Sequence, residues 1–251
     1  MGRLLALGGQ AAGAILSTNF RLLGPTHFAI LGAVLGLASV LAIVQRRLGP
    51  GFRWLRVGVG SALLVETGLW YGYLARLGQL TFPSHLPLDL CDVTLFLTIA
   101  ALLTLSPAVF DLAYYWALAG TSMALLTPDL WEHFPSLSTV QFFVAHGLVV
   151  AGVLYLAWSG LARPRPGSVV RALLALNLFA AFDAGFDWIF ETNYMYLAAK
   201  PENASLLNFL GPWPVYILTS EGVALVLFLL LYLPFRPRRW KSAGRNAQRG
   251  N

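Results

Sequence analysis

The chain has one cysteine, Cys91, placed between Asp89 and Asp92 at the head of an apolar run, LPLDLCDVTLFLTIAALLTL, from Leu86 to Leu105. The thiolate is the reactive form of cysteine, and a free thiol has a reference pKa of about 8.5. A neighbouring histidine can take the proton and leave a competent nucleophile. His146 lies in an apolar run of its own, FFVAHGLVV. A carboxylate such as Asp187 could orient that imidazole. On a helix, Asp92 points about 100° away from Cys91 and Asp89 is on a different face, so neither need oppose a thiolate. The chemistry that fits is attack on a carbonyl through a thioester. The competing reading is packing: free cysteine behaves as a small buried hydrophobe, and a membrane histidine can serve as a helix–helix hydrogen bond.

The elements that must position these residues are membrane helices. The 251 residues are 57% hydrophobic and 11% charged, where soluble domains carry about 25% charged residues. Window hydropathy predicts an all-α bundle of seven transmembrane helices. Their spans are about 26–45, 55–75, 86–105, 108–126, 141–162, 169–190 and 211–233. Residues 1–235 read as a single transmembrane domain and 236–251 as a basic cytoplasmic tail. The glycine-broken start of the chain reads as a short interfacial helix, with a cleaved signal peptide as the alternative. Thirteen basic residues fall in the first loop, the fifth-to-sixth loop and the tail, against four elsewhere. The positive-inside rule then places the N-terminus outside and the C-terminus in the cytoplasm.

This topology converts sequence position into depth at about 1.5 Å per residue. His27, Cys91, His146 and Asp187 come from four different helices to one layer in the outer leaflet, with Cys91 about 7 Å below the start of its span. Asp92, Gln141, Asn193 and Tyr194 lie at or near that layer and are candidates for binding substrate. Glu66, Asp183 and Glu221 form a deeper layer, where ionisable residues mark proton or substrate paths. No zinc spacing, Walker or Rossmann glycine pattern or nucleic-acid motif is present, so no metal, cofactor or nucleic-acid partner is expected.

LPLDLCDVTLFL, FFVAHG, NYMYL and GPWPVYIL, in that order, resemble the YwaF-like bacterial integral membrane proteins, which are related to the eukaryotic transmembrane protein 164. The likeness covers about Leu23 to Phe235. It implies an acyltransferase that moves fatty acyl chains between phospholipids through a cysteine thioester, with a histidine assisting. Cys91 then matches the nucleophile and His146 the histidine, while His27 in LLGPTHF resembles the family's histidine at the start of the first span. The chain is also similar to membrane hydrolases of the androgen-induced protein type, which use a threonine and a histidine. The resemblance implies a multi-pass protein of the bacterial cell membrane whose partner is a phospholipid. The reading from a different class is a non-enzymatic transporter or small-molecule binder that uses Glu66, Asp183 and Glu221.

Overall fold

A computed structural model describes residues 20–130, 132–201 and 206–236. The expected interfacial helix at the start of the chain and nearly all of the basic tail lie outside them. Among the described residues the protein is helical, with no strand, and seven helices succeed one another. They are α1 (Pro25–Leu48), α2 (Trp54–Arg76), α3 (Leu90–Thr104), α4 (Pro107–Leu126), α5 (Leu137–Ser159), α6 (Ser168–Phe190) and α7 (Val215–Tyr232). Helix α4 contains a π turn, Ala117–Thr121, and α7 runs on into a 3₁₀ turn, Leu233–Phe235. Five of the seven, α1, α4, α5, α6 and α7 with its extension, are long and apolar enough to cross a membrane. This is a multi-pass membrane protein.

Local signals set the helix ends. Pro25 and Pro107 open α1 and α4, where a missing N–H costs nothing. Three starts differ from the hydropathy reading. Helix α3 begins at Leu90, four residues late, because Pro87 disfavours the helical region for Leu86 and Asp89 is extended (φ −65°, ψ 144°). Cys91 is therefore in the first turn of α3 and not a turn and a half inside it. Helix α5 begins at Leu137, four residues early, because Ser136 and Thr139 cap it reciprocally. Helix α7 begins only after Pro212 and Pro214.

Helices α3, α4 and α5 carry the core. Ile99, Leu102, Phe110, Tyr115, Val149 and Leu156 are buried there. Helices α1, α6 and α7 turn Leu35, Leu178, Trp188 and Leu218 outward, as a bundle surrounded by lipid requires. Polar links gather the helix ends at one side of the bundle. Arg56 donates to the last carbonyls of α3, Leu102 at 2.7 Å and Leu103 at 2.6 Å, which is favourable for a cation at a helix C-terminus. Arg46 donates to the Trp158 carbonyl near the end of α5. Asp111 of α4 holds Arg165 and Arg171 at 2.8 and 3.0 Å. Tyr114 donates to the Leu231 carbonyl of α7. The first loop, the α5–α6 loop and the end of α7 therefore share one end, and Cys91 is toward the other.

Candidate active site

Helices α2, α3, α4 and α5 enclose a cavity of about 100 Å³. Cys91 and Asp92 reach it from the start of α3, His146 and Gln141 from α5, Thr121 from α4, and Tyr71 from α2. The first N–H groups of a helix have no partner within it and carry partial positive charge. At α3 the Asp89 carboxylate does not cap them; it accepts from Met195 N–H at 3.2 Å. Cys91, second residue of the helix, thus sits beside N–H groups that its own helix leaves free. Asp92 lies in the same cavity, contrary to the expectation that it would face away, and an ionised Asp92 there opposes a standing thiolate.

The His146 ring stacks on Phe142, with centroids 4.1 Å apart. Its Nδ1 is 2.8 Å from the Phe142 carbonyl. A carbonyl only accepts, so Nδ1 carries the hydrogen and the neutral ring keeps Nε2 as an acceptor. The orienting group is therefore a backbone carbonyl, where the sequence suggested the Asp187 carboxylate. Gln141 donates to Glu66 at 3.0 Å, which ties α5 to α2 beside the cavity. A second, more open and mostly apolar space of about 420 Å³ adjoins through Tyr71, which lines both; Phe82, Leu86 and Phe96 lie along it.

The other candidates sit elsewhere. His27 is fully buried against Phe20 and Phe143. Its Nδ1 accepts from Leu23 N–H at 3.0 Å and its Nε2 donates to the Leu125 carbonyl at 2.7 Å. Both nitrogens are occupied in joining α1 to α4, and none is left for a reaction. Asp187 accepts from the Thr192 hydroxyl and Tyr194 N–H. Tyr194 donates to the Pro83 carbonyl at 2.7 Å and accepts from Leu86 N–H at 2.9 Å. Asn193 closes its own loop through Ala198 and Ala199. Burial pushes the hydroxyls of Tyr194 and Tyr196 up, that of Tyr196 to about 12, so both act as donors. Glu221 is bonded by Asn177, while Asp183 is fully buried with neither oxygen partnered. Glu66, Asp183 and Glu221 thus have no partner in common, and the deeper layer does not converge. Thr121, Tyr71 and Trp70 were not singled out by sequence. The signal for Thr121 is faint, a Gly-Thr-Ser step in the apolar run of α4.

Residues 22–232 match the model of the TMEM164 family. A protein of Treponema pallidum (strain Nichols), described only as uncharacterized, is 29% identical over 234 residues, which is 92% of this chain and 95% of that one. No solved structure matches. The family match spans the cavity and every helix that builds it, and the chain belongs to the TMEM164 family.

Proposed function

We propose that the protein is a membrane enzyme that transfers or hydrolyses the acyl group of a phospholipid ester, through a thioester on Cys91 with His146 as general base. The observation that carries this reading is a thiol and an imidazole in one small cavity, the imidazole keeping one nitrogen free to take a proton. As sulfur attacks the ester carbonyl, the thiol proton passes to Nε2 and the carbonyl π pair moves to oxygen. Collapse restores the carbonyl, breaks the bond to the lipid alcohol, and returns the proton to that leaving oxygen. An acceptor hydroxyl or water then gives its proton to His146 and attacks the thioester, which releases the thiol. Proton transfer in step with attack avoids a standing thiolate beside Asp92. The alternative, a transporter or binder that works through Glu66, Asp183 and Glu221, has less support because those acids do not converge.

The same reading holds residues 1–235 as one membrane domain in the bacterial cell membrane. Seven helices cross, the N-terminus is outside and the basic tail is cytoplasmic, on the thirteen-to-four distribution of basic residues. The cavity then opens near the outer headgroup boundary, the depth of a phospholipid ester. The test is incubation of purified protein in micelles with a phospholipid radiolabelled in its acyl chain. Hydroxylamine-sensitive label is expected on the wild type, with none on Cys91→Ala and undiminished label on Glu221→Gln. Label that persists on Cys91→Ala sinks the thioester.

A further inference from the structure

Resting on this acyl-transfer reading, we infer that Thr121 is a catalytic residue, its hydroxyl donating to the ester oxygen as that oxygen becomes negative. A helical Ser or Thr in an apolar setting usually returns its hydroxyl to the carbonyl four residues back. Ser39, Thr67, Thr94, Thr98, Thr127 and Thr219 all do so here, at 2.6 to 3.0 Å. Thr121 does not. Its residue is 1% exposed, and its hydroxyl has no oxygen or nitrogen partner and faces only the Cys91 thiol.

The cause is the π turn Ala117–Thr121. Four residues before Thr121 is Ala117, and its carbonyl accepts from Ser122 instead, through both the backbone N–H and the hydroxyl at 3.2 Å. The inserted residue shifts the bonding register by one and removes Thr121's usual acceptor. The freed hydroxyl lies in the cavity beside Cys91. Thr67 lines the cavity too, but its hydroxyl is committed to Leu63. A buried hydroxyl with no oxygen or nitrogen partner weakens the fold, and it becomes useful when charge develops next to it in a small, largely apolar cavity.

In the reaction, the carbonyl π pair moves onto oxygen as the S–C bond forms. The hydroxyl hydrogen of Thr121 bonds that oxygen and stays on Thr121 throughout. On collapse the pair returns to the carbonyl and the alcohol leaves with the proton held by His146. Thr121 neither gains nor loses a proton.

The experiment uses the full chain in detergent micelles with p-nitrophenyl octanoate and follows the burst of nitrophenolate as Cys91 is acylated. Thr121→Val is expected to slow the burst about 10²-fold, the usual loss for one oxyanion donor. Thr121→Ser, which restores the donor, should return it to within several-fold of wild type. Thr121→Val should also melt above the wild type, because it removes a buried hydroxyl that only a weak thiol contact satisfies, and maleimide labelling of Cys91 should change by no more than about twofold, the reach of so weak a contact. Thr98→Val makes the same chemical change at a buried threonine outside the cavity and should keep the full burst. A wild-type burst from Thr121→Val overturns the inference. So does a parallel loss of maleimide labelling, which assigns Thr121 to the thiol, or a lowered melting temperature, which assigns it to the fold. A wild type with no Cys91-dependent burst overturns the acyl-transfer reading, and this inference with it.

Discussion

Replacing His146 by asparagine separates its chemistry from its packing. The Nδ1–H···O bond to Phe142 at 2.8 Å fixes the ring from below, and an asparagine amide nitrogen occupies nearly the position of Nδ1. His146→Asn therefore keeps that bond and deletes Nε2. The structural loss is the stack on Phe142, with centroids 4.1 Å apart, about 0.5–1.5 kcal/mol for an aromatic pair. In a chain of this size about 1 kcal/mol shifts the melting temperature by roughly 2–4 °C. The catalytic loss is that of a general acid–base, about 10²–10⁴ in rate, or roughly 3–5 kcal/mol of barrier. The two effects differ enough to be told apart.

The assay pairs single-turnover acylation with thermal unfolding in the same micelles. Acylation should fall by at least about 10² while the melting temperature drops only a few degrees. His146→Gly with added imidazole should recover part of the rate, because a free base can enter the vacated space. Acylation of His146→Asn within threefold of wild type would refute the assignment of Nε2 as the base. A rate that declines only in proportion to the folded fraction would refute it equally.

Three other outcomes follow from the structure. Asp111 is buried while Arg165 and Arg171 reach water, so removing the anion strands no buried charge; Asp111→Asn should cost about 1–2 kcal/mol, and Arg165→Ala with Arg171→Ala nearer the 3–5 kcal/mol of an orphaned buried charge, by thermal unfolding. A Cβ on Gly147 would lie 2.9 Å from Val34 Cγ2, so Gly147→Ala should press α1 away from α5 at about 1–3 kcal/mol and slow acylation by moving His146, read by melting temperature and label. Hydrogen bonds from Ser138 and then Ser136 hold the Glu132 carboxyl below its usual 4.5; a depressed folded pKa stabilises above the unfolded value and the contribution is lost as pH falls through the folded one, so a carboxyl NMR titration should give a midpoint under 4.5 that Ser138→Ala raises.

Level along the bundle was legible in the sequence, and direction around each helix was not. Hydropathy placed seven helices with ends within four residues, because apolar length is what crossing a bilayer demands. Shared depth also brought Cys91, Asp92, Gln141 and His146 to one cavity. His27 and Asp187 were expected at the same depth, yet each turns to its own partners, since about 100° of rotation separates neighbours on a helix and periodicity is weak in helices apolar all round. The late start of α3 was readable from Pro87, and the early start of α5 from Ser136 and Thr139. Thr121 was hidden for a different reason. A π turn moves everything before it by one register step relative to everything after it, and no residue type announces it.

Several residues that depth alone marked for chemistry instead complete the backbone around Cys91. Helix α3 has 15 residues and rises about 22 Å, short of a hydrocarbon core of about 30 Å. In the proposed seven-span topology, chain beyond its N-terminus has to make up the difference without helical hydrogen bonds. Non-helical backbone at such depth survives only where protein satisfies it or where it lines a cavity. Tyr194 satisfies Leu86 N–H and the Pro83 carbonyl, Asp89 satisfies Met195 N–H, and Asp187 satisfies Tyr194 N–H. Two of these bonds, to Leu86 N–H and the Pro83 carbonyl, satisfy the chain that leads into α3, and the other two satisfy the α6–α7 loop beside it. What the shortened helix provides is its own N-terminus, with free N–H groups and positive partial charge, carrying Cys91 in its first turn. A third helix starting at Leu86 would carry the same cysteine a turn and a half inside, its amide bonded four residues back and its sulfur away from the free N–H groups of the first turn.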